Sequence, residues 1–474
     1  MTRRTKIVAT IGPASDDRKT LADLMDAGMD VARLGLAHNT LEEVLERYRR
    51  IRQVAEETGH VVGVLVDLPG PKVRLGSFGD SSVWLGGGER FSLVPGLDTS
   101  GGGELGVDYE QLLEDVREGD LLAVGDGSVV MQIEDVGRDR ASVRIAHGGP
   151  VQGRPGLHVP SDRLSIASPT PEDLRKLDAF VDAGVDMVAL SFIRSAHDIR
   201  RVGTEPYPRG PLLVAKIETR AAVQNLEGII EASGAIMIAR GDLGSELGIE
   251  ELPHLQKRIT RDCISGGKPV ITATQMFESM ITSPAPTRAE VSDAANAIFD
   301  GSSAVMLSAE TAVGENPVAT VATMARVAAK ADAEFDYGAW ARRIRLIRSD
   351  QPSGAANPIT DAMTAATWRA ATEMGVAAII CISESGFTVR SIARFRPSMP
   401  IIGFSPHRRT VRQLTLSWGT VPAQASGHVD SIETMDEMIL AAREGGHVRS
   451  GDVVAVLAGT GGRSTDMLRL AVVP

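Results

Sequence analysis

A short unit recurs in this chain and constrains its fold more than any other feature. Asp26–Leu34 resembles Asp182–Leu190, and Phe299–Leu307 is a looser copy. In each copy a helical segment ends near a glycine, and an apolar run follows. The glycine predicts a left-handed helix cap, and the apolar run predicts a buried parallel strand. The unit is therefore predicted to be the joint between a helix and the next strand of an α/β barrel.

Short apolar runs predict eight strands, and helical periodicity follows each of them. Leu41–Glu57 is an example, because its apolar side chains recur on one helical face. Eight βα units predict a TIM (β/α)8 barrel. The predicted strands lie near Lys6–Gly12, Val31–Ala37, Val61–Leu68, Asp186–Ile193, Leu212–Glu218, Ala235–Arg240, Pro269–Gln275 and Ala304–Ser308.

The barrel pattern is interrupted between its third and fourth strands. Residues 70–156 are rich in Gly, Ser, Asp and Val, with short alternating runs and no long amphipathic helix. This pattern predicts an inserted β domain, expected to be a small β-barrel that acts as a lid on the rim. The catalytic barrel is accordingly predicted to span residues 1–69 and 157–334.

A second strand-and-helix pattern begins near Phe335 and predicts a C-terminal α/β domain of Rossmann-like type over residues 335–474. The charged stretch 342–348 is compatible with a linker or an exposed helix. The predicted strands lie near Ala377–Ser383, Pro400–Phe404, Gly419–Ala423, Val453–Ala458 and Leu468–Val473.

Composition excludes several classes of protein. The formal net charge of −11 argues against a nucleic-acid partner. The two cysteines, Cys263 and Cys381, are far apart and have no metal-binding spacing, which fits a reducing cytoplasm. No apolar run is long enough to span a bilayer, so neither export nor a membrane partner is expected.

Two carboxylates at the ends of consecutive predicted strands indicate a metal site. Glu218 follows Lys216, and Asp242 follows Arg240. The carboxyl ends of barrel strands form the catalytic rim, where two carboxylates and a lysine suit a hard divalent cation and an oxyanion. The alternative interpretation is a pair of acids that cap helices or form salt bridges with the neighbouring basic residues.

Other polar residues are predicted at the same rim. Thr274 ends the seventh strand and can relay a proton, although threonine is also common in strands. Ser308 and Glu310 follow the eighth strand. Arg33 interrupts an apolar strand, where an unpaired guanidinium is costly, whereas His38 alone is more typical of a surface or packed histidine.

Six segments of the chain are distinctive together, namely Thr5–Ser15, Val31–Leu34, Lys216–Glu218, Met237–Gly244, Gly267–Met280 and Pro286–Glu290. With these segments the chain resembles the pyruvate kinase family over essentially its whole length. The resemblance implies phosphoryl transfer from phosphoenolpyruvate to ADP, giving pyruvate and ATP, with Mg²⁺ or Mn²⁺, and it suggests a homotetramer.

The resemblance also implies roles for individual residues. Glu218 and Asp242 are expected to hold the metal, and Lys216 to stabilise the transferring phosphoryl group and the enolate. Backbone N–H groups at Ala239, Arg240 and Gly241 are expected to receive the substrate carboxylate. Arg33 is expected to contact the phosphate, and Thr274 to lie beside the carbon that is protonated. Ser308 and Glu310 are expected to support the proton relay. The residues expected near the nucleotide are His38, Arg74 and Asp126.

Departures from the family pattern indicate a change in monovalent-cation use. The family commonly shows Arg-Leu-Asn-Phe-Ser-His where this chain has Gly35 and Ala37, so both potassium-binding side chains are replaced. The glutamate that accompanies potassium is here Lys72. An ammonium group there can supply the missing positive charge, so activity is expected to be independent of potassium. Decay of the site is the alternative.

Other departures concern the lid and the C-terminal domain. The lid has Gly125 and Pro155 where the family has an aspartate and a lysine. Ser383, Ser385, Gly386 and Thr388 form a candidate phosphate loop for an effector, or else a structural helix cap. Two rival functions remain open at this point, namely a lyase or aldolase on the same metal barrel, and a catalytically weak sensor of sugar phosphates or nucleotides.

Overall fold

The computed structural model describes residues 3–37, 39–125, 127–160, 164–349, 357–425, 432–459 and 464–474. Eight parallel strands close into a barrel in chain order, and the register of Lys6 with Ala304 joins the first strand to the last. The prediction of a TIM barrel is confirmed. The barrel strands are Lys6–Thr10, Val31–Gly35, Gly63–Leu68, Met187–Leu190, Leu212–Ile217, Ala235–Ala239, Val270–Ala273 and Ala304–Leu307.

Amphipathic helices surround the barrel and bury their apolar faces against it. Leu41–Thr58 shows why they form, because Thr40 and Glu43 make a capping box and Val44 and Ile51 lie on the buried face. The other helices of this domain are Arg18–Ala27, Pro171–Asp182, Ala196–Arg200, Arg220–Gln224, Leu226–Ala232, Arg240–Leu247, Leu252–Ser265, Arg288–Asp300, Ala309–Ala312 and Pro317–Glu334, with a 3₁₀ turn at Glu278–Ile281.

The predicted joints between helix and strand have the expected backbone. Gly28, Gly184 and Gly301 adopt φ values of 113°, 83° and 110°. Residues with a Cβ rarely take such angles, so glycine is favoured at these positions. Each joint turns a helix back into a barrel strand, and the prediction made from the repeated unit is confirmed.

The inserted segment forms its own sheets and its own apolar core, in which Leu93, Met131 and Val143 are fully buried. Seven strands make one sheet and two make a ribbon. Its strands are Val83–Leu85, Arg90–Pro95, Ser100–Gly101, Glu104–Val107, Leu121–Val124, Val129–Val136, Ala141–His147, Gly149–Val151 and Leu157–His158, with one short helix at Leu112–Asp115.

The C-terminal part contains a sheet of five strands, four parallel and the last antiparallel. Residues 342–348 lie in a helix, Tyr337–Ser349, and not in an extended linker. The strands are Ala378–Ile382, Ile401–Ser405, Thr420–Gln424, Val453–Ala458 and Met467–Val472, and the other helices are Pro358–Met374, Phe387–Ala393, Arg408–Gln413 and Ile432–Glu444, with a 3₁₀ turn at Leu414–Leu416. Within the described residues, no helix is both long and apolar enough to cross a membrane.

Candidate active site

The fifth barrel strand positions Lys216, and Glu218 follows directly after its end. Glu218 is fully buried, and its Oε1 accepts a hydrogen bond of 2.6 Å from the Phe192 N–H group. Its Oε2 lies 3.3 Å from the Lys216 ammonium nitrogen but has no hydrogen-bond partner among the residues that the structure describes. A buried carboxylate oxygen without a hydrogen bond is costly, so this oxygen is available to a cation.

Two further buried groups surround the lysine and were not predicted from the sequence. Lys216 Nζ donates to Ser191 Oγ at 2.6 Å and lies 3.6 Å from Asp67 Oδ1. Asp67 also accepts a hydrogen bond from Arg33 Nε at 2.8 Å. The only signal in the sequence is a polar residue at the end of an otherwise apolar strand, as in Val64-Leu65-Val66-Asp67.

The charges of this cluster shift one another's pKa values. Burial lowers the pKa of Lys216, but the combined attraction of Asp67, Glu218 and Asp242 outweighs the effect of burial. The pKa of Lys216 is therefore raised above its ordinary value, and the side chain stays a charged ammonium group. Burial raises the pKa of Asp67, yet Lys216 and Arg33 bring it below its ordinary value. Burial, Asp242 and Asp67 together raise the pKa of Glu218 in spite of Lys216. The carboxylates of this cluster can therefore be stabilised by an additional positive charge.

Asp242 lies in a helix and not at a strand end. The sixth strand stops at Ala239, and the rim helix Arg240–Leu247 places Asp242 in its first turn. The strand thus ends one residue before the predicted limit near Arg240, because the chain enters the helix directly from the strand. The partly exposed Asp242 is close enough to influence the pKa of both Lys216 and Glu218.

The rim helix contacts the seventh strand through Thr274. Gly241 donates its N–H group to Thr274 Oγ1 at 3.0 Å, and this hydroxyl donates to the Ala273 carbonyl at 2.7 Å. Thr274 and Gln275 adopt positive φ values of 65° and 52°. Such a backbone costs about 1–3 kcal/mol per residue and persists only where surrounding contacts hold it.

Glu310 connects the loops that follow the last two barrel strands. The side chain is buried, its Oε2 accepts from the Ser308 N–H group at 2.6 Å, and its Oε1 accepts from the Phe277 N–H group at 3.1 Å. Both hydrogen bonds are to the backbone. The predicted proton-relay residues Ser308 and Glu310 are thus adjacent, and Glu310 also fixes the loop after Thr274.

The predicted nucleotide residues are less well defined by the structure. Arg74 lies at the base of the lid, where its backbone N–H group donates to Asp108 Oδ1 at 2.6 Å and its Nη1 donates to the Arg154 carbonyl at 3.2 Å. His38 and Asp126 lie outside the described residues. Lys72, the predicted substitute for potassium, is exposed and runs alongside Gly156.

The candidate effector loop uses its own polar groups at the start of helix Phe387–Ala393. Gly386 is the N-cap residue with φ of 75°, and Ser385 Oγ accepts from the Phe387 N–H group at 3.4 Å. Thr388 Oγ1 lies 2.6 Å from Thr465 Oγ1, and Ser383 is buried. Within the described residues the N-cap residue of this helix makes no side-chain cap hydrogen bond, so the alternative of a structural helix cap is not supported, and effector binding stays a prediction.

The donor set is suited to magnesium. Within the described residues, no group of three or more His, Cys, Asp or Glu side chains is arranged to hold a metal. Glu218 and Asp242 alone provide two carboxylates, one with an oxygen that lacks a hydrogen bond. Magnesium is commonly held by one or two carboxylates with water and substrate oxygens, so these residues fit it without a third protein ligand.

Comparison with known proteins agrees with this geometry. The family model for the pyruvate kinase barrel domain matches residues 2–321, and the model for the pyruvate kinase alpha/beta domain matches residues 361–471. The chain belongs to the pyruvate kinase family. A pyruvate kinase of Bacillus licheniformis is 36% identical over 99% of this chain and 80% of its own length.

Other pyruvate kinases show the same extent of similarity. One from Methylorubrum extorquens is 38% identical over 99% of this chain and 98% of its own length. Pyruvate kinase 2 of a Synechocystis species is 38% identical over 99% of this chain and 79% of its own length. The similarity therefore covers the barrel, the lid and the C-terminal domain together.

Proposed function

We propose that this chain is an active pyruvate kinase, which transfers the phosphoryl group of phosphoenolpyruvate to ADP and gives pyruvate and ATP. The observation that supports it most is the buried group of Lys216, Asp67 and Glu218, in which Glu218 Oε2 has no hydrogen bond to any described residue. Phosphoryl transfer depends on positioning and on charge neutralisation, and this cluster supplies a fixed ammonium beside available carboxylate oxygens.

Glu218 and Asp242 would hold Mg²⁺, for which Mn²⁺ can substitute. When bound, the ion neutralises charge on the phosphate and carboxylate oxygens of the substrate. Lys216 provides a second positive charge, because its raised pKa keeps it protonated at neutral pH. Arg33 is held by Asp67 and Thr10 and would contact the phosphoryl group from the first strands of the barrel.

The start of the rim helix would receive the substrate carboxylate through the backbone N–H groups of Ala239 and Arg240, since the expected third donor, the Gly241 N–H group, already donates to Thr274 Oγ1. The Thr274 hydroxyl lies against the same helix and is oriented by the Gly241 N–H group. It would deliver or relay the proton to the enolate carbon, with Ser308 and Glu310 behind it. These assignments are supported by the adjacency of the groups on one rim.

The remaining parts of the proposal extend to regulation and assembly. His38, Arg74 and Asp126 would bind the nucleotide, and Lys72 would replace potassium. The loop Ser383–Thr388, in the C-terminal domain of this chain, would bind a phosphorylated effector. The enzyme would act in the cytoplasm as a homotetramer. Its three domains would be the barrel (residues 1–69 and 157–334), the lid (residues 70–156) and the C-terminal domain (residues 335–474).

A coupled assay with phosphoenolpyruvate, ADP and magnesium tests the proposal. We expect Glu218→Gln to lower kcat/KM by about 100-fold or more, because it removes the charge of one metal ligand. Glu43→Gln is the matched control, since Glu43 is an exposed residue that caps the start of helix Leu41–Thr58. Turnover that survives unchanged in Glu218→Gln would contradict the assigned site. Pyruvate formed without ADP would mean that phosphoenolpyruvate is hydrolysed and would contradict phosphoryl transfer to ADP, and binding of phosphoenolpyruvate without turnover would indicate a sensor.

A further inference from the structure

A small cavity lies at the opposite end of the barrel from the candidate active site. Its volume is about 20 Å³, and it lies, partly open, between the barrel and the C-terminal domain. Lys268 and Ser303 contribute from the segments that enter the seventh and eighth barrel strands. The C-terminal domain contributes basic and polar side chains, among them Arg390, Arg396, Ser417 and Trp418.

The charge around this cavity is strongly positive. Lys268, Arg390 and Arg396 all line it, and within the described residues none of the three forms an ion pair. Their hydrogen-bond partners are backbone carbonyls: Lys268 Nζ donates to Ser233 at 2.5 Å, and Arg396 Nη2 donates to Ser302 at 2.6 Å. Carbonyl dipoles compensate a buried full charge only in part.

Three residues that line the cavity each have a buried polar atom without a hydrogen-bond partner in the described part of the chain. These atoms are Arg390 Nη1, Ser417 Oγ and Trp418 Nε1. The three residues are 4%, 1% and 2% exposed. Guanidinium and indole N–H groups can only donate, so the missing partner must be an acceptor. Hydrogen-bond donors without partners, next to positively charged side chains, favour an acceptor that carries negative charge.

We propose that this cavity binds a single halide ion, chloride under ordinary conditions. The volume of about 20 Å³ accommodates one water-sized particle. A water molecule can accept from the same donors but adds no negative charge beside Lys268, Arg390 and Arg396, whereas a halide does both.

The site would have a structural consequence for the junction of the two domains. Arg390 Nη2 donates to the Ser385 carbonyl at 2.9 Å, and the Arg390 guanidinium stacks on Tyr207 of the barrel domain at 4.8 Å. A halide bound to Arg390 Nη1 would add a second link from this arginine to the barrel, through Lys268. The ion would therefore strengthen the contact between the candidate effector loop and the barrel.

Diffraction from crystals of the full-length protein grown or soaked in sodium bromide tests the proposal directly. We expect an anomalous bromide peak within hydrogen-bond distance of Arg390 Nη1, together with Ser417 or Trp418. Ordered density at this place without an anomalous signal would identify a water molecule and overturn the proposal. An empty cavity would overturn it as well.

Thermal unfolding provides an independent test in solution. We expect the unfolding midpoint to be higher in sodium chloride than in sodium gluconate at equal ionic strength, because a ligand that binds only the folded state stabilises it. Ser417→Ala should remove most of this difference. Ser405→Ala is the matched control, since Ser405 is also buried but its hydroxyl donates to the Glu384 carbonyl. Equal chloride responses in all three proteins would overturn the proposal.

Discussion

Arg240 donates a hydrogen bond of 2.7 Å from Nη2 to the carbonyl oxygen of Thr274. The same guanidinium reaches the Ala273 and Gln275 carbonyls, each at 3.2 Å, and forms an ion pair of 2.7 Å with Asp293. Thr274 and Gln275 have positive φ values, which threonine and glutamine adopt at a cost. The side chain of Arg240 therefore holds the backbone that presents the Thr274 hydroxyl.

Arg240→Lys should lower kcat for pyruvate formation by about 100-fold while changing the KM for ADP little. Lysine keeps the charge but lacks the planar fork that binds several carbonyls at once, and displacement of a catalytic group by about 1 Å costs a factor of this size. Steady-state kinetics check this, with the partly exposed Arg258→Lys as control. An unchanged kcat would show that Arg240 does not position Thr274.

Asp67→Asn should destabilise the barrel by about 3–5 kcal/mol, since it removes a buried charge that faces both Lys216 and Arg33. The control is Asp16→Asn, which removes a more exposed partner of Arg47 and should cost about 1 kcal/mol or less. Urea unfolding followed by circular dichroism measures the difference. Equal losses in the two variants would contradict the central position given to Asp67.

The sequence predicts the barrel well because its strands are signalled locally. Short branched apolar runs and glycine joints such as Gly28 and Gly301 depend on nearest neighbours in the chain, and the structure confirms them. Lys216 and Glu218 are predictable for the same reason, because charged residues at the end of an apolar strand stand out. Local pattern is thus sufficient for the fold and for the first candidate residues of the site.

The rest of the site depends on contacts between distant segments. Asp67 becomes important only when three strands bring it between Arg33 and Lys216. The left-handed backbone at Thr274 has no signature in its own sequence, since threonine does not favour it, and contacts from Arg240 hold it there. Tertiary hydrogen bonds of this kind cannot be inferred from residue type or spacing.

Acid should weaken the attachment of the first strand through Asp30. Burial raises the pKa of Asp30, but Lys6 and Arg3 together lower it below its ordinary value of about 3.9. A lowered carboxyl pKa contributes stability above the unfolded value and loses it as pH falls through the folded value. Asp30→Asn should therefore lower the unfolding midpoint at pH about 7, and this gap should narrow below pH about 4.

Differential scanning calorimetry over that pH range checks the prediction for Asp30. Asp26→Asn serves as control, because Asp26 lies nearby but is exposed and contacts only His60 among the described residues. We expect the midpoint of this control to follow that of the unsubstituted protein throughout. A gap for Asp30→Asn that is as large in acid as at neutral pH would show that the carboxylate charge is not the cause.

Potassium should have little effect on the rate of this enzyme, and Lys72→Glu should create a requirement for it. Gly35 and Ala37 lack the side chains that accompany potassium in the family, and Lys72 brings an ammonium group where the family has a glutamate. Rates measured with potassium, sodium or tetramethylammonium at equal ionic strength check this, and Lys176→Glu, in the same cleft as Lys72, controls for the charge change. Strong activation of the unsubstituted enzyme by potassium would contradict the prediction, because the ammonium group of Lys72 would then not replace the potassium ion.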